Sequence, residues 1–495
     1  MRWIVGLTEY AGLTDYTGGI GTHYAALLPA LAARGVEIDL VLFAAGVAGA
    51  PGVAQPGTPG LALPGTPGRA LPGMALPGVP GAGATDARAA AVRLVAVHDL
   101  SRLPVAGQLV ARAMLFRRYV ARARYDAVFL PEWGGIGALL PRSAALVTNL
   151  ATGIRLGDWI AVRRTRDFPL RLRFGRWLQH RLETRQIRSS RGVVPISRAV
   201  LAWNERAIQG LPPARVVRNC VDIEAVRRQA THAPLPAEWP VDGHRPLRAG
   251  WPIRVVGPPP EASPVGGEEP LPEGSLRGRE AGPAEVRAAG GEGAIILFVG
   301  RLERRKGVIA AMQAFAIVAA SQPTARLVLA GASGDERFEP TRSQLLAHLT
   351  PGQRERVVFL GHVPGDRLAA AMARAALVIC PSLWEGFGNV ALEAKAAGAP
   401  LVVTTGSGFD DFCRDGEDAL MVPPGDSAAL AGAALRLLEH PELGERLVAA
   451  ATASLERFTV GSVAADLEHA VLALARSLPR PGARPASAPI APRAS

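Results

Sequence analysis

Short apolar runs alternate with longer amphipathic stretches along the first half of the chain. The apolar runs are Arg2–Leu7, Val36–Phe43, Ala127–Leu130, Leu146–Leu150 and Val193–Ile196. A helical pattern over Thr22–Arg34 ends at Gly35, directly before the second run. Apolar runs of this length are typical of strands buried on both faces, and their alternation with helices predicts a doubly wound parallel sheet.

The second half of the chain repeats this order. Its apolar runs are Ala294–Val299, Ala325–Ala330, Val357–Leu360, Leu377–Cys380 and Leu401–Val403, with helices predicted near 308–320 and 389–397. Two such sheets place the loops at the carboxyl ends of their strands around a shared cleft. The predicted fold class is therefore α/β, with two Rossmann-like parallel-sheet domains facing a cleft.

Proline and glycine are clustered, and the clusters predict where the domains end. Residues 46–86 predict a low-complexity insertion, 229–292 a disordered Pro/Gly-rich linker and 477–495 a disordered basic tail. The domains that remain are an N-terminal one, 1–228, and a C-terminal one, 293–476. Each is long enough to bury a core of its own.

Composition excludes several classes of protein. A hydrophobic fraction of 48% is too high for a largely disordered chain. No apolar run reaches the roughly 18 residues of a membrane span, and the opening run is too short for a signal peptide. The three cysteines, Cys220, Cys380 and Cys413, show no zinc or disulfide spacing. A reducing, cytoplasmic location is therefore expected.

A glycine-rich loop follows the first predicted strand and opens the first helix. It reads Thr17-Gly18-Gly19-Ile20-Gly21. Glycines allow a phosphate or sugar to approach the backbone, and a helix start offers free N–H groups. The loop matches neither common nucleotide-binding motif, so a plain tight turn is an equal alternative.

A basic turn follows the first strand of the second half. The strand ends at Gly300, and Arg301 and Lys306 come before the next helix. A diphosphate at the end of a strand needs cationic donors, which guanidinium and ammonium groups supply. Arg304 and Arg305 are expected to contribute much less. The alternative is an exposed basic turn without a ligand.

A third motif carries two carboxylates, and a predicted helix begins inside it. Glu385 precedes the loop Gly386-Phe387-Gly388, the helix begins near Asn389, and Glu393 lies about one turn into it. Eight residues at a helical rise span about 12 Å, comparable with the distance from ribose to sugar in a sugar nucleotide. Carboxylates accept hydrogen bonds from vicinal hydroxyls. Pairs of surface glutamates on helices are nevertheless common.

Taken in order, these motifs resemble the retaining family 4 glycosyltransferases of the GT-B fold. The resemblance covers nearly all of 293–450 and scattered parts of 1–228, and it includes Val422-Pro423-Pro424-Gly425-Asp426. It implies transfer of a sugar from a nucleotide-diphosphate-sugar donor to a glycan, lipid-linked or small-molecule acceptor, with retained configuration. The first domain would then bind the acceptor and the second domain the donor.

The resemblance also implies roles for individual residues. Arg301 and Lys306 would bind the donor diphosphate, Glu393 the ribose and Glu385 the donor sugar. The remaining donor-binding candidates come from the three loops: Gly19, Gly21, Gly300, Gly386, Phe387, Gly388 and Asn389. Neither a metal nor another cofactor is expected, because the cations and helix N-termini offset the charge of the diphosphate.

The chain departs from the family in the first half. Phe129, Pro131 and Ala151 stand where many members carry histidines, which affects hydrogen bonds on the acceptor side. Two alternatives stay open: a non-catalytic GT-B protein that binds sugar or serves as a scaffold, and a GT-B sugar-nucleotide epimerase. A phosphorylase of this fold would need a pyridoxal lysine, for which Lys395 is a poor candidate.

Arginine is strongly favoured over lysine, and the net charge is +12. Eleven arginines lie within 155–191 against three acidic residues, and 112–124 is basic and amphipathic. A solvated arginine face is the favoured interpretation. A peripheral contact with the inner face of a membrane would suit a lipid-linked acceptor. Nucleic acid is disfavoured, because only 5% of residues are aromatic and no recognition motif is present.

Overall fold

The computed structural model describes residues 1–11, 13–14, 19–44, 92–161, 167–240 and 293–476. The predicted insertion and tail lie outside the described residues, as does 241–292 of the predicted linker. Within the described part, two separate six-stranded sheets are formed, and every neighbouring pair of strands is parallel. The predicted fold class is confirmed.

The first sheet has the order β3-β2-β1-β4-β5-β6. Its strands are β1 (Arg2–Leu7), β2 (Glu37–Leu42), β3 (Val92–Val97), β4 (Ala127–Pro131), β5 (Leu146–Leu150) and β6 (Gly192–Pro195). The helices of this half are α1 (Gly19–Ala33), α2 (Val105–Arg122), α3 (Ile154–Ile160), α4 (Leu170–Ser189) and α5 (Arg198–Ala207). The sequence did not predict β3.

The second sheet has the order β12-β11-β10-β7-β8-β9. Its strands are β7 (Ile295–Val299), β8 (Arg326–Ala330), β9 (Val357–Gly361), β10 (Leu377–Cys380), β11 (Leu401–Thr404) and β12 (Leu420–Val422). Nine further helices follow α5 in the described chain: α6 (Ile223–His232), α7 (Val308–Ser321), α8 (Arg342–Leu346), α9 (Pro351–Arg354), α10 (Gly365–Arg374), α11 (Asn389–Ala396), α12 (Ser427–Glu439), α13 (Pro441–Ser454) and α14 (Val460–Ala475).

The strand order determines where a ligand can bind. In each sheet the order reverses at one point, between β1 and β4 in the first and between β7 and β10 in the second. The loops that leave the carboxyl ends of two such strands diverge to opposite sides and leave a crevice. The Arg301 and Lys306 turn follows β7, and the Glu385 loop follows β10. The basic turn and the glutamate loop are thus brought together by topology.

Two helices, α6 and α14, pack against elements of the other half of the chain. Helix α6 packs against α10 and α11, and α14 packs against α1 and β6. Gly192 in β6 has no room for a side chain, because a Cβ there would lie 2.5 Å from Leu474 of α14. The sequence assigned α14 to the second domain. Ordered chain also continues past the predicted linker start at 229, and Trp239 is buried.

Candidate active site

A cleft of about 670 Å³ lies between the carboxyl ends of the two sheets. From the first half it is lined by loops after β1 and β5, including Glu9 and Thr152. From the second half it is lined by the turn after β7 and the loop after β10. The predicted site residues that line it are Arg301, Lys306, Glu385, Gly386, Phe387, Gly388 and Asn389.

Lys306 and Glu385 are bound to each other. The Lys306 ammonium donates to Glu385 Oε1, and the Ser382 hydroxyl donates to the same oxygen over 2.8 Å. Burial alone would raise the pKa of Glu385, but the charges of Lys306 and Arg305 and the two hydrogen bonds hold it below its ordinary value. Glu385 is therefore an ionised carboxylate at neutral pH.

Gly307 allows the two loops to approach. Its φ is +73°, and a Cβ at this position would overlap the carbonyl oxygen of Pro381. A glycine meets both requirements, since it adopts positive φ without strain and leaves the space empty. The Leu383 N–H then donates to the Arg305 carbonyl over 2.8 Å and ties the loops together.

Glu303 holds two arginines at the cleft. Its Oε1 lies 2.8 Å from Arg301 Nη1, and its Oε2 accepts from Arg305 Nε over 2.7 Å. Arg305 lines the cleft, so the expectation that it contributes little is revised. The tight 3-10 turn at Arg304–Lys306 directs successive side chains in different directions, and Arg304 is exposed outside the lining.

The loop before α11 is held by the first half of the chain. Ser197, which caps α5, donates its hydroxyl to the Gly386 carbonyl over 2.5 Å. Asn219 Nδ2 donates to Asn389 Oδ1 over 2.8 Å. The Oδ1 atom of Asn219 is buried and has no hydrogen-bond partner among the described residues. The cleft thus holds an unsatisfied acceptor beside the start of α11.

Glu393 is in a different electrostatic state from Glu385. It lies one turn into α11, as predicted, but is not among the residues that line the cleft. Burial raises its pKa to about 7. The side chain is half-buried, and its carboxyl group has no hydrogen-bond partner in the described part of the chain, so a ligand donor could satisfy it.

Two of the predicted glycines, Gly21 and Gly300, are not among the described residues that line the cleft. The Gly300 N–H donates to the Ala330 carbonyl over 3.0 Å, and the Gly21 N–H donates to Glu9 Oε1 over 2.8 Å. Gly19 is the first residue of α1. Ile20 and His23, from the same helix, reach the cleft instead. The backbone hydrogen bonds of Gly21 and Gly300 therefore hold the loops beside the site.

The first half contributes cleft residues that the sequence did not single out. Asn149, at the end of β5, accepts from the Tyr24 hydroxyl over 3.2 Å and donates to the Val194 carbonyl over 2.9 Å. His23 lies 3.7 Å from Cys220 Sγ, and burial lowers its pKa to about 4, so the imidazole is neutral. Tyr24, Asn149 and His23 all line the cleft. The sequence signals for them are weak, since Asn149 only lies near the end of β5 and the other two lie within the first two turns of α1.

Two buried carboxyl groups brace the loops on the first-half side of the cleft. Glu132 accepts from the Ala151 N–H over 2.9 Å, and Glu183 accepts from the N–H groups of Gly134 and Ile154 over 3.0 and 2.8 Å. Burial raises the pKa of Glu132 to about 8 and that of Glu183 to about 7. They hold the segments after β4 and β5 against each other.

Phe129, Pro131 and Ala151, for which the sequence comparison with the family expects histidines, lie in different places in the structure. Phe129 is part of β4 and is buried in the core of the first sheet. Pro131 ends the same strand, and its carbonyl accepts from Gln186. Ala151 lines the cleft and offers it no polar side chain. The departures therefore affect the acceptor side at Ala151 alone among these three.

Residues 293–440 match the family described as glycosyl transferases group 1. A D-inositol 3-phosphate glycosyltransferase from Acidothermus cellulolyticus is 41% identical over 172 residues, which cover 34% of this chain and 38% of that protein. The chain spans less than half the length of the curated relatives it matches first. The family match lies in the second half of the chain.

The whole architecture is shared with solved structures. Sucrose-phosphate synthase from Thermosynechococcus elongatus superposes with a TM-score of 0.60 at 18% identity, over 95% of this chain and 98% of that one. The Anabaena protein HepE in complex with UDP and glucose superposes with a TM-score of 0.54 at 16% identity, over 94% and 98%. The expected GT-B fold is confirmed.

Proposed function

We propose that the chain transfers a sugar from a nucleotide-diphosphate-sugar donor to an acceptor with retention of configuration. The observation that carries this proposal is the Lys306–Glu385 pair, which lies at the switch point of the second sheet, within the residues that match glycosyl transferases group 1. Arg301 and Arg305 flank the pair in the same cleft. A cationic cluster beside an ionised carboxylate suits a diphosphate leaving group next to a sugar.

The cations act on the leaving group. Arg301, Arg305 and Lys306 donate to the diphosphate oxygens, where negative charge grows as the glycosidic bond breaks. Their interactions strengthen in the transition state, so they lower the barrier and not merely the donor Kd. Three cationic side chains also supply the charge that a metal would otherwise provide. We therefore propose that neither a metal nor another cofactor takes part.

Glu385 acts on the sugar. When Lys306 turns to the diphosphate, the Glu385 carboxylate is free to accept hydrogen bonds from sugar hydroxyls. Its negative charge also stabilises the positive charge that develops on the sugar ring. The neighbouring backbone of Gly386, Phe387 and Gly388 lines the cleft beside it. The departing phosphate is then placed to take the acceptor proton, as the family resemblance implies.

Glu393 and Asn219 suit the nucleoside. Glu393 is half-buried and has no hydrogen-bond partner among the described residues, and the buried Asn219 Oδ1 atom is likewise an unsatisfied acceptor. Ribose offers two vicinal hydroxyl donors that would satisfy such groups. We assign the ribose to Glu393. HepE, with UDP and glucose, supports a nucleoside diphosphate donor of this general form.

Lys395 does not support a pyridoxal-dependent reaction. It is buried, forms a 2.8 Å ion pair with Asp418 and donates to the Phe412 carbonyl over 2.7 Å. An ammonium group fixed in this way holds the core of the second half together. The remaining alternatives are a non-catalytic sugar-binding protein and a sugar-nucleotide epimerase, and the donor experiment separates them.

The experiment is a donor panel of UDP-, GDP- and ADP-sugars tested on the purified chain. Specific donor binding should raise Tm, because a ligand that binds only the folded state stabilises it. Turnover should release the nucleoside diphosphate, and NMR should show the donor's anomeric configuration retained in the product. A Tm shift without release indicates a binding protein, and an altered sugar on an intact nucleotide indicates an epimerase.

A further inference from the structure

Helices α2 and α4 lie side by side and expose a patch of large apolar side chains. Val105 at the start of α2 packs on Gly175 near the start of α4. Eight of the thirteen large exposed apolar residues of the described chain lie on or just before these helices: Leu103, Val105, Val110, Met114, Leu170, Leu172, Phe174 and Trp177. Scattered exposed residues are ordinary, but a concentration of this kind marks an interaction surface.

An arginine-lined groove of about 870 Å³ adjoins this patch. Its charged lining consists of Arg142, Arg155, Arg181, Arg185 and Arg188, and no acidic residue lines it. Burial and the charge of Arg188 lower the pKa of Arg155. Within the described ranges, no carboxylate forms an ion pair with any of these five. The groove therefore carries uncompensated positive charge.

Trp177 joins the apolar patch to the groove. Its side chain is 50% exposed, lines the groove and stacks on Phe174 with ring centroids 5.8 Å apart. The Arg181 guanidinium lies over the same indole ring, 5.4 Å from its centroid. Aromatic rings favour the boundary between lipid headgroups and acyl chains, and guanidinium groups bind phosphate. The two features therefore form one continuous surface, here called the α2–α4 face.

The two helices carry almost no negative charge. Their sequences contain a single acidic residue, Glu183, which is buried and accepts from Gly134 and Ile154. Exposed arginines continue along both helices beyond the apolar patch, at Arg117 and Arg118 on α2 and at Arg181 on α4. An apolar patch bordered by arginines is complementary to a bilayer surface that carries anionic headgroups.

We propose that the α2–α4 face docks the protein on a membrane that contains anionic phospholipids. Lipid phosphates enter the arginine groove, and the apolar side chains reach the boundary of the acyl chains. No helix in the described part of the chain is long and apolar enough to cross a membrane. The chain lies on the surface through these two helices.

Docking would bring the cleft close to the lipid. His180 lines the groove and lies 3.2 Å from Asp158, which lines the cleft. This contact connects the lining of the groove with the lining of the cleft, so a lipid-linked acceptor held at the surface would present its headgroup to the cleft. This last step rests on the proposed glycosyl transfer, whereas membrane docking does not.

Vesicle sedimentation tests the docking. The full chain should sediment with vesicles of phosphatidylcholine and phosphatidylglycerol, should stay in solution with phosphatidylcholine alone, and should be released by salt. R181E/R188E should weaken vesicle binding at least about tenfold, because each arginine near the surface contributes to it. R367E/R446E changes the net charge equally on exposed positions of α10 and α13 and should bind like the wild type.

A second variant tests the apolar contribution. M114S/F174S should weaken vesicle binding while its dependence on salt stays that of the wild type. All variants should keep the wild-type Tm, since the substituted side chains lie on the surface. Equal binding by R181E/R188E and R367E/R446E would overturn the proposal. So would failure of the wild type to bind, or its release by soluble glycerol 3-phosphate, which would make the groove a site for free phosphate.

Failure of glycosyl transfer is measured separately. Vesicle binding with no nucleoside diphosphate release from any donor would overturn the proposed function and leave the docking surface intact. Donor turnover without binding to anionic vesicles would overturn the docking surface and leave the proposed function intact.

Discussion

Lys306 and Glu385 are 79 positions apart in the chain, yet their side chains form an ion pair in the cleft. The sequence assigned one to the diphosphate and the other to the sugar. The structure shows that each neutralises the other, because Gly307 allows the turn after β7 to contact the loop after β10. We therefore expect donor binding to exchange one ion pair for another: Lys306 leaves Glu385 and pairs with the diphosphate.

The arginines of the basic turn should differ in their effect on catalysis. Arg301→Ala and Arg305→Ala should each lower kcat/KM, because both side chains line the cleft. The expected loss of transition-state stabilisation is about 2–4 kcal/mol for each variant. Arg304→Ala is the matched control and should stay near the wild type, since its side chain lies outside. Equal losses of kcat/KM for all three variants would mean that the turn acts only as a general basic patch.

The two glutamates of the third motif should affect different constants. Glu385→Gln removes negative charge next to the sugar and should lower kcat more than it raises the donor Kd. Glu393→Gln should mainly weaken donor binding, because we assign this carboxylate to the ribose. Calorimetric Kd values and steady-state kcat for the pair decide between these outcomes. Small, equal effects on both constants would mean that the spacing between Glu385 and Glu393 does not support the proposed glycosyl transfer.

Much of this site could be predicted from sequence because its residues come directly after strongly apolar strands. The runs that became β7 and β10 mark the points at which Arg301 and Glu385 enter the cleft. Strand β3 was not predicted, since it comes shortly after the Pro/Gly-rich stretch 46–86 and its apolar run was not recognised as a strand. The packing of α6 and α14 against the other half of the chain depends on tertiary contacts, which local periodicity does not encode.

The place of Arg305 in the cleft could not be predicted, for a specific reason. A basic run gives no indication of which side chains share a direction, and the 3-10 turn at Arg304–Lys306 was not predicted. Glu132 and Glu183 were missed for a similar reason. Their role depends on backbone N–H groups of distant loops, which only the folded chain brings within hydrogen-bond distance.

Gly307→Ala should separate the two loops. The φ of +73° strains any other residue, and the new Cβ would overlap the Pro381 carbonyl. We expect the free energy of unfolding to fall by more than about 1 kcal/mol and turnover to fall with it. Gly432→Ala in α12, where a Cβ meets open space, should be neutral or slightly stabilising. Urea unfolding of both variants checks this, and a fully stable, active Gly307→Ala would contradict the assigned role.

Stability should fall as pH rises through the neutral range. The folded chain holds protons on Glu132 up to about pH 8 and on Glu183 up to about pH 7, whereas ordinary glutamates lose them near 4.5. Across that window the folded state binds more protons than the unfolded state, so the free energy of unfolding decreases with pH. Both Glu132→Gln and Glu183→Gln should flatten this slope.

Urea unfolding at about pH 5 and about pH 8 measures the slope. Exposed Glu224 provides the control, and Glu224→Gln should keep the wild-type slope. A slope that neither buried substitution changes would show that these carboxyls stay ionised in the folded chain.

The rate of nucleoside diphosphate release by the wild type and by Lys306→Ala is the most direct measurement of glycosyl transfer at this site. We expect the wild type to release the diphosphate from at least one donor of the UDP-, GDP- and ADP-sugar panel. Lys306→Ala should lower that rate roughly 30- to 1000-fold, the equivalent of about 2–4 kcal/mol. A folded wild type that releases nothing from any donor, or a Lys306→Ala variant as fast as the wild type, would contradict a transfer reaction built on Lys306 and Glu385.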